Sequence, residues 1–163
     1  MKISQAGIDL IKRFEGCKLK PYLCPAGYWT VGYGHVLGNG VTLAEADNRI
    51  FTKEEVDVLL RYDLRRFEQG VCRLCPVPLI QHQHIFDSIV SWSYNLGLGS
   101  LQRSTMRQKI LRQDGQAASK ELLKYDKVNG KALKGLTRRR QAEYQLFTQL
   151  DPITDTDASN TPD

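Results

Sequence analysis

Apolar residues recur at helical spacing near the start of the chain, in a run bounded by Ser4 and Gly16. The apolar members of this run are Ile8, Leu10, Ile11 and Phe14. Serine is a residue type that caps helix N-termini, and glycine commonly follows the last helical residue. We therefore predict a first helix that ends close to Glu15.

The pattern changes between Leu19 and Val36, where Tyr, Trp, Thr and Val become frequent. Aromatic and β-branched residues favour strands, and the sequence Pro25-Ala26-Gly27 favours a turn. This segment therefore predicts a small antiparallel β-hairpin directly after the first helix.

Helical patterns return after the hairpin. Thr52 and Glu55 have the spacing of a capping box, which predicts an amphipathic helix from Thr52 to about Gln69. A strongly apolar run over residues 85–96 lies between two prolines and two glycines, and it predicts a central buried helix. We also predict shorter helices over residues 106–111, 117–125 and 136–150.

The predicted elements amount to an α+β fold that is mainly helical, with one small sheet near the front. With 163 residues, 41% of them hydrophobic and 25% charged, the chain is long enough for one globular domain with a real core. We place that domain at residues 1–150. The acidic segment 151–163 has a single sizeable apolar residue, Ile153, and predicts a disordered tail.

The net charge of +5 favours an anionic partner, such as a nucleic acid, an acidic membrane surface or an acidic cell-wall polymer. The sequence contains no zinc finger or other nucleic-acid recognition motif that we identify, and its basic residues are scattered. We therefore expect no nucleic-acid partner. Residues 1–16 mix polar and charged residues with the apolar ones, so we expect no signal peptide and no stable membrane insertion.

The four cysteines, Cys17, Cys24, Cys72 and Cys75, form two close pairs that leave thiols, disulfides and metal ligation open. Cys72 and Cys75 have the spacing of half a zinc site, but Cys17 and Cys24 do not supply a matching half. We therefore expect no metal and no cofactor.

Glu15 is a candidate for acid chemistry because it is followed by no other Asp or Glu until Glu45. A carboxylic acid at a helix end, beside a hairpin rich in Tyr, Trp and Gly, is suited to act as a general acid. The alternative is a helix-terminal glutamate that forms an ordinary ion pair with an Arg or a Lys.

The spacing around this acid resembles a known signature. Glu15 is followed after eight residues by Cys24, then after five residues by Thr30 and the sequence Val-Gly-Tyr-Gly-His that ends at His35. This arrangement resembles the catalytic signature of the phage-type lysozymes of glycoside hydrolase family twenty-four. The segments PVPLIQ, SWSYNLGLGSLQRSTMRQKI and GLTRRRQAEYQLF resemble that family in matching order, so the resemblance covers residues 3 to 150.

The resemblance implies a muramidase fold in which a small hairpin lobe and a larger helical lobe are joined by the long helix that begins at Thr52. It implies hydrolysis of the β-1,4 bond between N-acetylmuramic acid and N-acetylglucosamine in peptidoglycan, which lyses the host cell. Two alternatives stay open: a lytic transglycosylase that breaks the same bond with one acid, and a wall-binding protein without activity. We expect a monomer that is made in the cytoplasm and reaches the wall through a holin-like membrane lesion.

The resemblance also implies the roles of individual residues. Glu15 is expected to protonate the glycosidic oxygen, and Thr30 to hold the attacking water through its hydroxyl. Cys24 stands where many members have Asp, and a thiol acts as thiolate only if its pKa is lowered, for which Lys18 and Lys20 are the nearby cations. We further expect that a Cys17–Cys24 disulfide, if formed in an oxidising compartment, lowers activity.

The remaining expectations concern structure and substrate contacts. His35 is expected to form a structural ion pair with Asp63 rather than to act as a base. The positions matching the family's glycan cleft are Val36, Tyr94 and Ser104, with Asn95 beside them, although each residue type is also common in cores or at helix ends. Residues 138–140 are three arginines that we expect on a solvated helix face.

Overall fold

The computed structural model of the chain describes residues 1–37 and 49–149. In chain order these residues form α1 (Gln5–Glu15), β1 (Lys18–Leu23), β2 (Trp29–Gly32), β3 (His35–Val36), α2 (Lys53–Leu74), a 3₁₀ helix (Pro78–Gln81), α3 (Gln83–Leu96), α4 (Leu98–Arg103), α5 (Thr105–Leu111), α6 (Gly115–Leu122), β4 (Lys127–Val128), β5 (Lys131–Ala132) and α7 (Lys134–Phe147). The tail predicted over residues 151–163 lies outside the described residues, as does Leu150 at the end of the last predicted helix.

Helix α1 begins and ends where its sequence predicts. The Ser4 side chain accepts a hydrogen bond from the backbone of Gly7, and Gly16 follows the helix with a φ of 67°. Ser4 is itself fixed to the helical part of the molecule, because its backbone N–H donates to Asp87 Oδ1 at 2.9 Å. This contact with α3 therefore fixes the start of α1, and through the helix it fixes the position of Glu15 at the other end.

The sheet after α1 has three antiparallel strands in the order β1-β2-β3, one more than the predicted hairpin. Cys24 and Gly27 close the turn between β1 and β2, where the Gly27 N–H donates to the Cys24 carbonyl oxygen at 2.8 Å. Thr30 lies opposite Tyr22 on one side and Val36 on the other. Thr30 is thus in the central strand, close to the turn that carries Cys24.

Helix α2 connects the sheet to the other helices. Its capping box is present, with Thr52 and Glu55 bonded reciprocally, and the helix extends to Leu74 rather than to Gln69. Near its start it touches the sheet so closely that a Cβ at Gly32 would lie 2.9 Å from Val56 Cβ. Further along the helix, Gly70 lies directly against Leu98 of α4.

Helix α3 is the central buried helix that the apolar run predicts. Every residue from Ile85 to Ser93 is buried, and Trp92 is fully so. The Trp92 ring meets Tyr125 edge-on, with ring centroids 4.9 Å apart. Helices α1, α2 and α7 pack around α3, so the prediction of a mainly helical α+β fold with a small sheet is confirmed.

Two elements differ from the predictions. Helix α4 begins immediately after Gly97, where the sequence suggests only an interruption between helices. A second antiparallel hairpin, β4-β5, lies between the helices predicted over residues 117–125 and 136–150, where no strand was predicted, and Asn129 and Gly130 form its turn with φ values of 50° and 77°. Asn-Gly is a strong hairpin signal because both residues tolerate positive φ, so this element was predictable.

Within the part of the chain that the structure describes, no helix combines the length and the apolar character needed to cross a membrane.

Candidate active site

A cleft of about 640 Å³ lies between the sheet, α2 and α3. It is lined by Glu15, Tyr33, Gly34, Val36, Tyr62, Asp63, Arg65, Arg66, Phe67, Gln69, Tyr94 and Asn95. The lining therefore brings together five of the residues singled out in the sequence, which are separated by as many as 80 positions along the chain. The five are Glu15, Val36, Asp63, Tyr94 and Asn95.

Glu15 is the last residue of α1 and is partly exposed to the cleft, with 23% of its side chain accessible. Its Oε1 accepts a hydrogen bond from Arg139 Nη1 at 2.5 Å. Arg139 comes from α7 and is buried. Glu15 thus lines the cleft, and it also forms the arginine ion pair that the alternative interpretation of the sequence describes.

Arg139 belongs to a buried charge network on α7. Glu143 Oε1 accepts hydrogen bonds from Arg139 Nε at 3.2 Å and from the Ser91 hydroxyl at 2.8 Å. Arg140 Nε lies 2.9 Å from Glu143 Oε2. The Glu143 carboxylate therefore lies between two guanidinium groups in the interior. Burial raises the pKa of Glu143 and lowers the pKa of Arg140 to about 10.

This network corrects the expectation of a solvated arginine face. Arg138 is exposed, as expected, but Arg139 and Arg140 are buried. Burial of two cations is tolerable only because carboxylates and polar groups meet them. The signal that would have revealed the pair is Glu143 itself, which follows Arg139 and Arg140 by four and three residues and therefore lies on the same helix face.

Cys24 lies outside the cleft lining, in the turn above Thr30. A hydrogen bond from the backbone of Tyr28 is the main cause that lowers the pKa of the Cys24 thiol, and the Thr30 hydroxyl and the backbone of Gly27 contribute. The expectation that Lys18 or Lys20 lowers this pKa is wrong. The Lys18 ammonium lies instead over the ring of Tyr22, 4.4 Å from its centroid.

Thr30 is buried, with 4% of its surface accessible. Its hydroxyl donates to the Tyr28 carbonyl oxygen at 3.0 Å. Burial raises the pKa of Tyr22, and negative charge on Cys24 or Glu15 raises it further. Tyr22 therefore lies within electrostatic range of both groups.

The contact expected between His35 and Asp63 is present. His35 Nδ1 lies 2.9 Å from Asp63 Oδ2 and 3.0 Å from Oδ1, and both side chains are partly buried. The pair joins β3 to α2. Both oxygens of Asp63 thus face the same ring nitrogen, which fixes the imidazole against the long helix.

Tyr94 and Asn95 form the α3 wall of the cleft. The Tyr94 hydroxyl donates to the Tyr33 carbonyl oxygen at 2.9 Å, and burial raises the pKa of Tyr94. Asn95 Oδ1 accepts a hydrogen bond from Arg140 Nη2 at 2.8 Å. The carbonyl end of the Asn95 amide is therefore occupied by the buried network.

Ser104 does not line this cleft. It caps α5, where its side chain accepts a hydrogen bond from the Arg107 backbone at 3.0 Å and donates to the Leu101 carbonyl oxygen at 2.8 Å. It lines a separate cavity of about 290 Å³ with Tyr125 and Lys127. Its contacts are those of a helix cap.

The four cysteines are free thiols. Cys17 is exposed. The pKa of Lys53 is raised chiefly by its hydrogen bond to Tyr33, and charge on Cys17 adds to this increase. Burial raises the pKa of Cys75 to about 11. Among residues 1–37 and 49–149, no three His, Cys, Asp or Glu side chains gather in a way that could hold a metal ion.

Comparison with known proteins gives a consistent match. The phage lysozyme family model matches residues 12–143. An endolysin of Acyrthosiphon pisum secondary endosymbiont phage 1 is 40% identical over 90% of this chain and 98% of its own length. An endolysin of Bacillus phage B103 is 42% identical over 90% of this chain, which spans 54% of that longer relative. A solved P22 lysozyme mutant superposes with a TM-score of 0.80 at 33% identity, covering 91% of this chain and 99% of the other.

Proposed function

Because the chain belongs to the phage lysozyme family, and is therefore a glycoside hydrolase of the lysozyme type found in endolysins, we propose that Glu15 is the acid with which it cleaves peptidoglycan. The bond cleaved is the β-1,4 linkage between N-acetylmuramic acid and N-acetylglucosamine. The observation that supports this role is the position of the Glu15 carboxyl, which stands in the cleft and is held by the buried Arg139.

The first step is proton transfer from Glu15 to the glycosidic oxygen. A sugar alkoxide is a poor leaving group, and positioned proton transfer of this kind contributes about 100- to 10,000-fold to a rate. Arg139 contacts Oε1 of Glu15, so the second carboxyl oxygen is the one available to the substrate. Glu143 and Ser91 hold Arg139 in turn, which keeps the acid at one place in the cleft.

The second step uses the turn between β1 and β2. Thr30 holds a water molecule through its hydroxyl, and Cys24 activates that water or attacks the sugar carbon itself, in the position where two-acid glycosidases carry a carboxylate. The lowered pKa of Cys24 supports this role because it increases the thiolate fraction near neutral pH.

The other residues bind or support. Val36, Tyr94 and Asn95 contact the glycan from opposite walls of the cleft, and the His35–Asp63 pair keeps the sheet fixed to α2. Ser104 has the contacts of a helix cap, so we assign it to the stability of α5 rather than to the glycan.

The acid assignment is tested by Glu15→Gln, with Asp9→Asn as the matched control on the same helix. Both changes turn a carboxyl into an amide, but among residues 1–37 and 49–149 the Asp9 carboxylate is hydrogen-bonded to Gln5 alone, on the exposed face. We expect Glu15→Gln to abolish turbidity loss of a peptidoglycan suspension and Asp9→Asn to preserve it, with both variants melting close to the parent. Activity of Glu15→Gln near the parent level excludes Glu15 as the acid.

The second position is tested by Cys24→Asp and Cys24→Ala. The aspartate variant restores a carboxylate and stays active, whereas the alanine variant has no group to activate water and loses most activity. Full activity of Cys24→Ala would show that the second position is dispensable, as in a one-acid transglycosylase. Mass spectrometry of the released fragments separates the two reactions, since anhydro ends identify transglycosylation.

We propose, finally, that one chain forms the whole site and that the protein reaches the wall after a separate holin-like membrane lesion. Helix α1 supports this mode of delivery because it carries Gln5, Asp9 and Lys12 and is fixed into the fold at Ser4. Lysis by cytoplasmic expression in cells without any permeabilising agent would contradict the delivery proposal.

A further inference from the structure

Tyr33 is held by contacts at both of its ends. Its backbone carbonyl accepts the Tyr94 hydroxyl from α3 at 2.9 Å. Its phenol oxygen accepts a hydrogen bond from the ammonium of Lys53, the first residue of α2. Tyr33 is buried and also lines the cleft. A residue that lies between β2 and β3 is thereby fixed to two helices at once.

Charged side chains lie around the Tyr33 ring. Lys53 Nζ is 4.6 Å from the ring centroid and Lys12 Nζ is 5.4 Å from it, so both are within the range of a cation–π contact. Asp57 Oδ1 lies 2.9 Å from Lys12 Nζ and 4.0 Å from Lys53 Nζ. The contact with Lys12 is the main cause that lowers the pKa of Asp57, and a hydrogen bond from the Tyr33 hydroxyl contributes. Lys12, Tyr33, Lys53 and Asp57 therefore form one connected group, the Tyr33 cluster.

The Tyr33 cluster joins the elements that carry the proposed acid and the proposed water-holding residue. Lys12 is on α1, three residues before Glu15 and hence on the same side of that helix. Tyr33 directly follows strand β2, three residues after Thr30. The other two members of the cluster belong to the first two turns of α2. The Tyr33 side chain thus contacts the helix that ends in the acid, while its backbone continues the strand of Thr30.

We propose that Tyr33 is a positioning residue: with its hydroxyl held by Lys53, it sets the placement of the Thr30 strand relative to the Glu15 carboxyl. This proposal rests on the proposed function of the cleft. Tyr33 acts through the groups on either side of it and takes no part in proton transfer itself. Placement matters because a reacting group displaced by about 1 Å can lower a rate by about 100-fold.

The proposal predicts a loss in turnover and not in binding. The residues proposed to contact the glycan, Val36, Tyr94 and Asn95, are not members of the Tyr33 cluster. The Tyr33 carbonyl that accepts the Tyr94 hydroxyl is a backbone group, which a substitution of the side chain keeps. A change at the phenol therefore leaves the glycan contacts in place and disturbs the alignment of the reacting groups, so kcat falls while KM stays close to the parent value.

The test deletes the Lys53–Tyr33 hydrogen bond from each of its two sides. Tyr33→Phe deletes the hydroxyl and keeps the ring, and its control is Tyr125→Phe, which deletes a phenol hydroxyl beside Trp92. Lys53→Met deletes the ammonium at the first residue of α2, and its control is Lys134→Met, at the exposed first residue of α7. Neither control residue lines the cleft. Initial rates are measured as released reducing ends over a concentration series of soluble peptidoglycan fragments, below the melting transition of every variant.

We expect Tyr33→Phe and Lys53→Met each to lower kcat by about three- to tenfold, with KM within about twofold of the parent. The double variant should be no slower than the slower single variant, because both changes delete the same bond. Lys53→Arg should regain most of the lost kcat, since a guanidinium also donates to a phenol oxygen and attracts an aromatic ring. Both controls should keep the parent kcat and KM.

A parent-level kcat in Tyr33→Phe would overturn the proposal, as would a loss confined to KM. Losses that multiply in the double variant would show two independent effects and would contradict positioning through Lys53. A kcat loss of the same size in either control would show a general response to a missing hydroxyl or charge, and it too would overturn the proposal. Failure of the proposed function is distinguishable, because Glu15→Gln would then keep the parent activity.

Discussion

Arg140 and Arg138 are neighbours on α7 with opposite surroundings. Arg140 is fully buried and meets Glu143 and Asn95, whereas Arg138 is exposed. Removing one member of a buried ion pair leaves the other charge without compensation, which typically costs about 3–5 kcal/mol. The contacts of Arg140 therefore make it one of the residues on which the helical part of the protein depends.

We expect Arg140→Ala to lower the free energy of unfolding by about 3–5 kcal/mol, because Glu143 is left in the interior with a single guanidinium partner. Arg138→Ala should change it by less than about 0.5 kcal/mol, as is usual at exposed positions. Urea denaturation of both variants, followed by circular dichroism, measures the difference. Equal stabilities for the two variants would contradict the structural role of the Arg140–Glu143 pair.

At the residue scale, local spacing was informative about neighbouring groups, whereas a distant contact such as His35–Asp63 was predicted from the family resemblance alone. Glu15, Cys24 and Thr30 lie within one short segment whose spacing predicts a shared site, and of the three Glu15 is the one that lines the described cleft. The Arg139 side chain reaches Glu15 across 124 positions, and no local pattern indicates that contact. Ser104 is the opposite case. Its position in a family motif suggested a substrate contact, but the contacts it makes are those that its local helix-capping pattern predicts.

Among the secondary-structure elements, close approaches between helices depend on glycine. A Cβ at Gly7 of α1 would lie 2.6 Å from Ile3 Cγ1 and 2.9 Å from Asp87 Cβ, where α1 packs on α3. A Cβ at Gly135 of α7 would meet nothing within 4 Å. Both glycines lie in the first turn of a helix, so they form a matched pair.

Gly135→Ala should stabilise the protein by about 0.4–1 kcal/mol, because alanine reduces the conformational freedom of the unfolded chain without a clash. Gly7→Ala gives the same benefit but forces α1 and α3 apart, so a net loss of about 1–3 kcal/mol is expected. Thermal melting of the two variants side by side provides the measurement. A stabilised Gly7→Ala protein would mean that α1 can move away from Asp87 at little cost.

Helices α1 and α2 are also joined by charge, since Lys12 Nζ lies 2.9 Å from Asp57 Oδ1. The Lys12 ammonium lowers the pKa of Asp57 below its ordinary value. A folded-state pKa below the unfolded one stabilises the fold above the unfolded pKa, and this contribution disappears as the pH falls through the folded pKa. Because both side chains are partly exposed, the contribution is less than about 1 kcal/mol.

Asp57→Asn should therefore be less stable than the parent at pH 6, with the gap closing as the pH falls below about 4. Chemical denaturation of both proteins across this range measures the gap. A Lys12→Met variant should show the same closing, because it removes the other member of the pair. A gap that stays constant down to pH 2 would show that the two residues do not interact in the folded protein.

The starts of α1 and α2 were predictable because capping chemistry is local: Ser4, Thr52 and Glu55 satisfy backbone groups within one turn of themselves. The length of α2 was not, since its last turn lies against α4 and is stabilised by packing rather than by a sequence signal. The β4-β5 hairpin was missed although Asn129-Gly130 carries a local turn signal, because the surrounding helical patterns dominated the interpretation.

Considered as a whole, the molecule has a sheet on one side of its cleft and helices on the other, and polar contacts join the two sides across it. One is the hydrogen bond from the Tyr94 hydroxyl to the Tyr33 carbonyl oxygen. Tyr33 leads into the turn between β2 and β3, and Tyr94 lies near the end of α3. This bond therefore restrains the width of the cleft.

Tyr94→Phe removes this bond and keeps the ring that meets Phe67 edge-on at 5.2 Å. We expect a stability loss of about 0.5–1.5 kcal/mol, the usual size for one hydrogen bond. We also expect faster amide hydrogen exchange in the β2-β3 turn but not at the distant β4-β5 turn, which serves as the internal control. Unchanged exchange around Gly34 would show that Tyr94 does not restrain the cleft.

The long separation between Glu15 and Arg139 has a consequence for the order in which the molecule is made. A ribosome completes α1 and the sheet well before it reaches α7, so the Glu15 carboxyl is made long before the guanidinium that contacts it. Helix α7 must emerge and dock on α3 before the acid has its partner, so an incomplete nascent chain has no finished site. For the acid proposed above, this order means that a chain interrupted before α7 already contains the Glu15 carboxyl and still lacks the guanidinium that holds it.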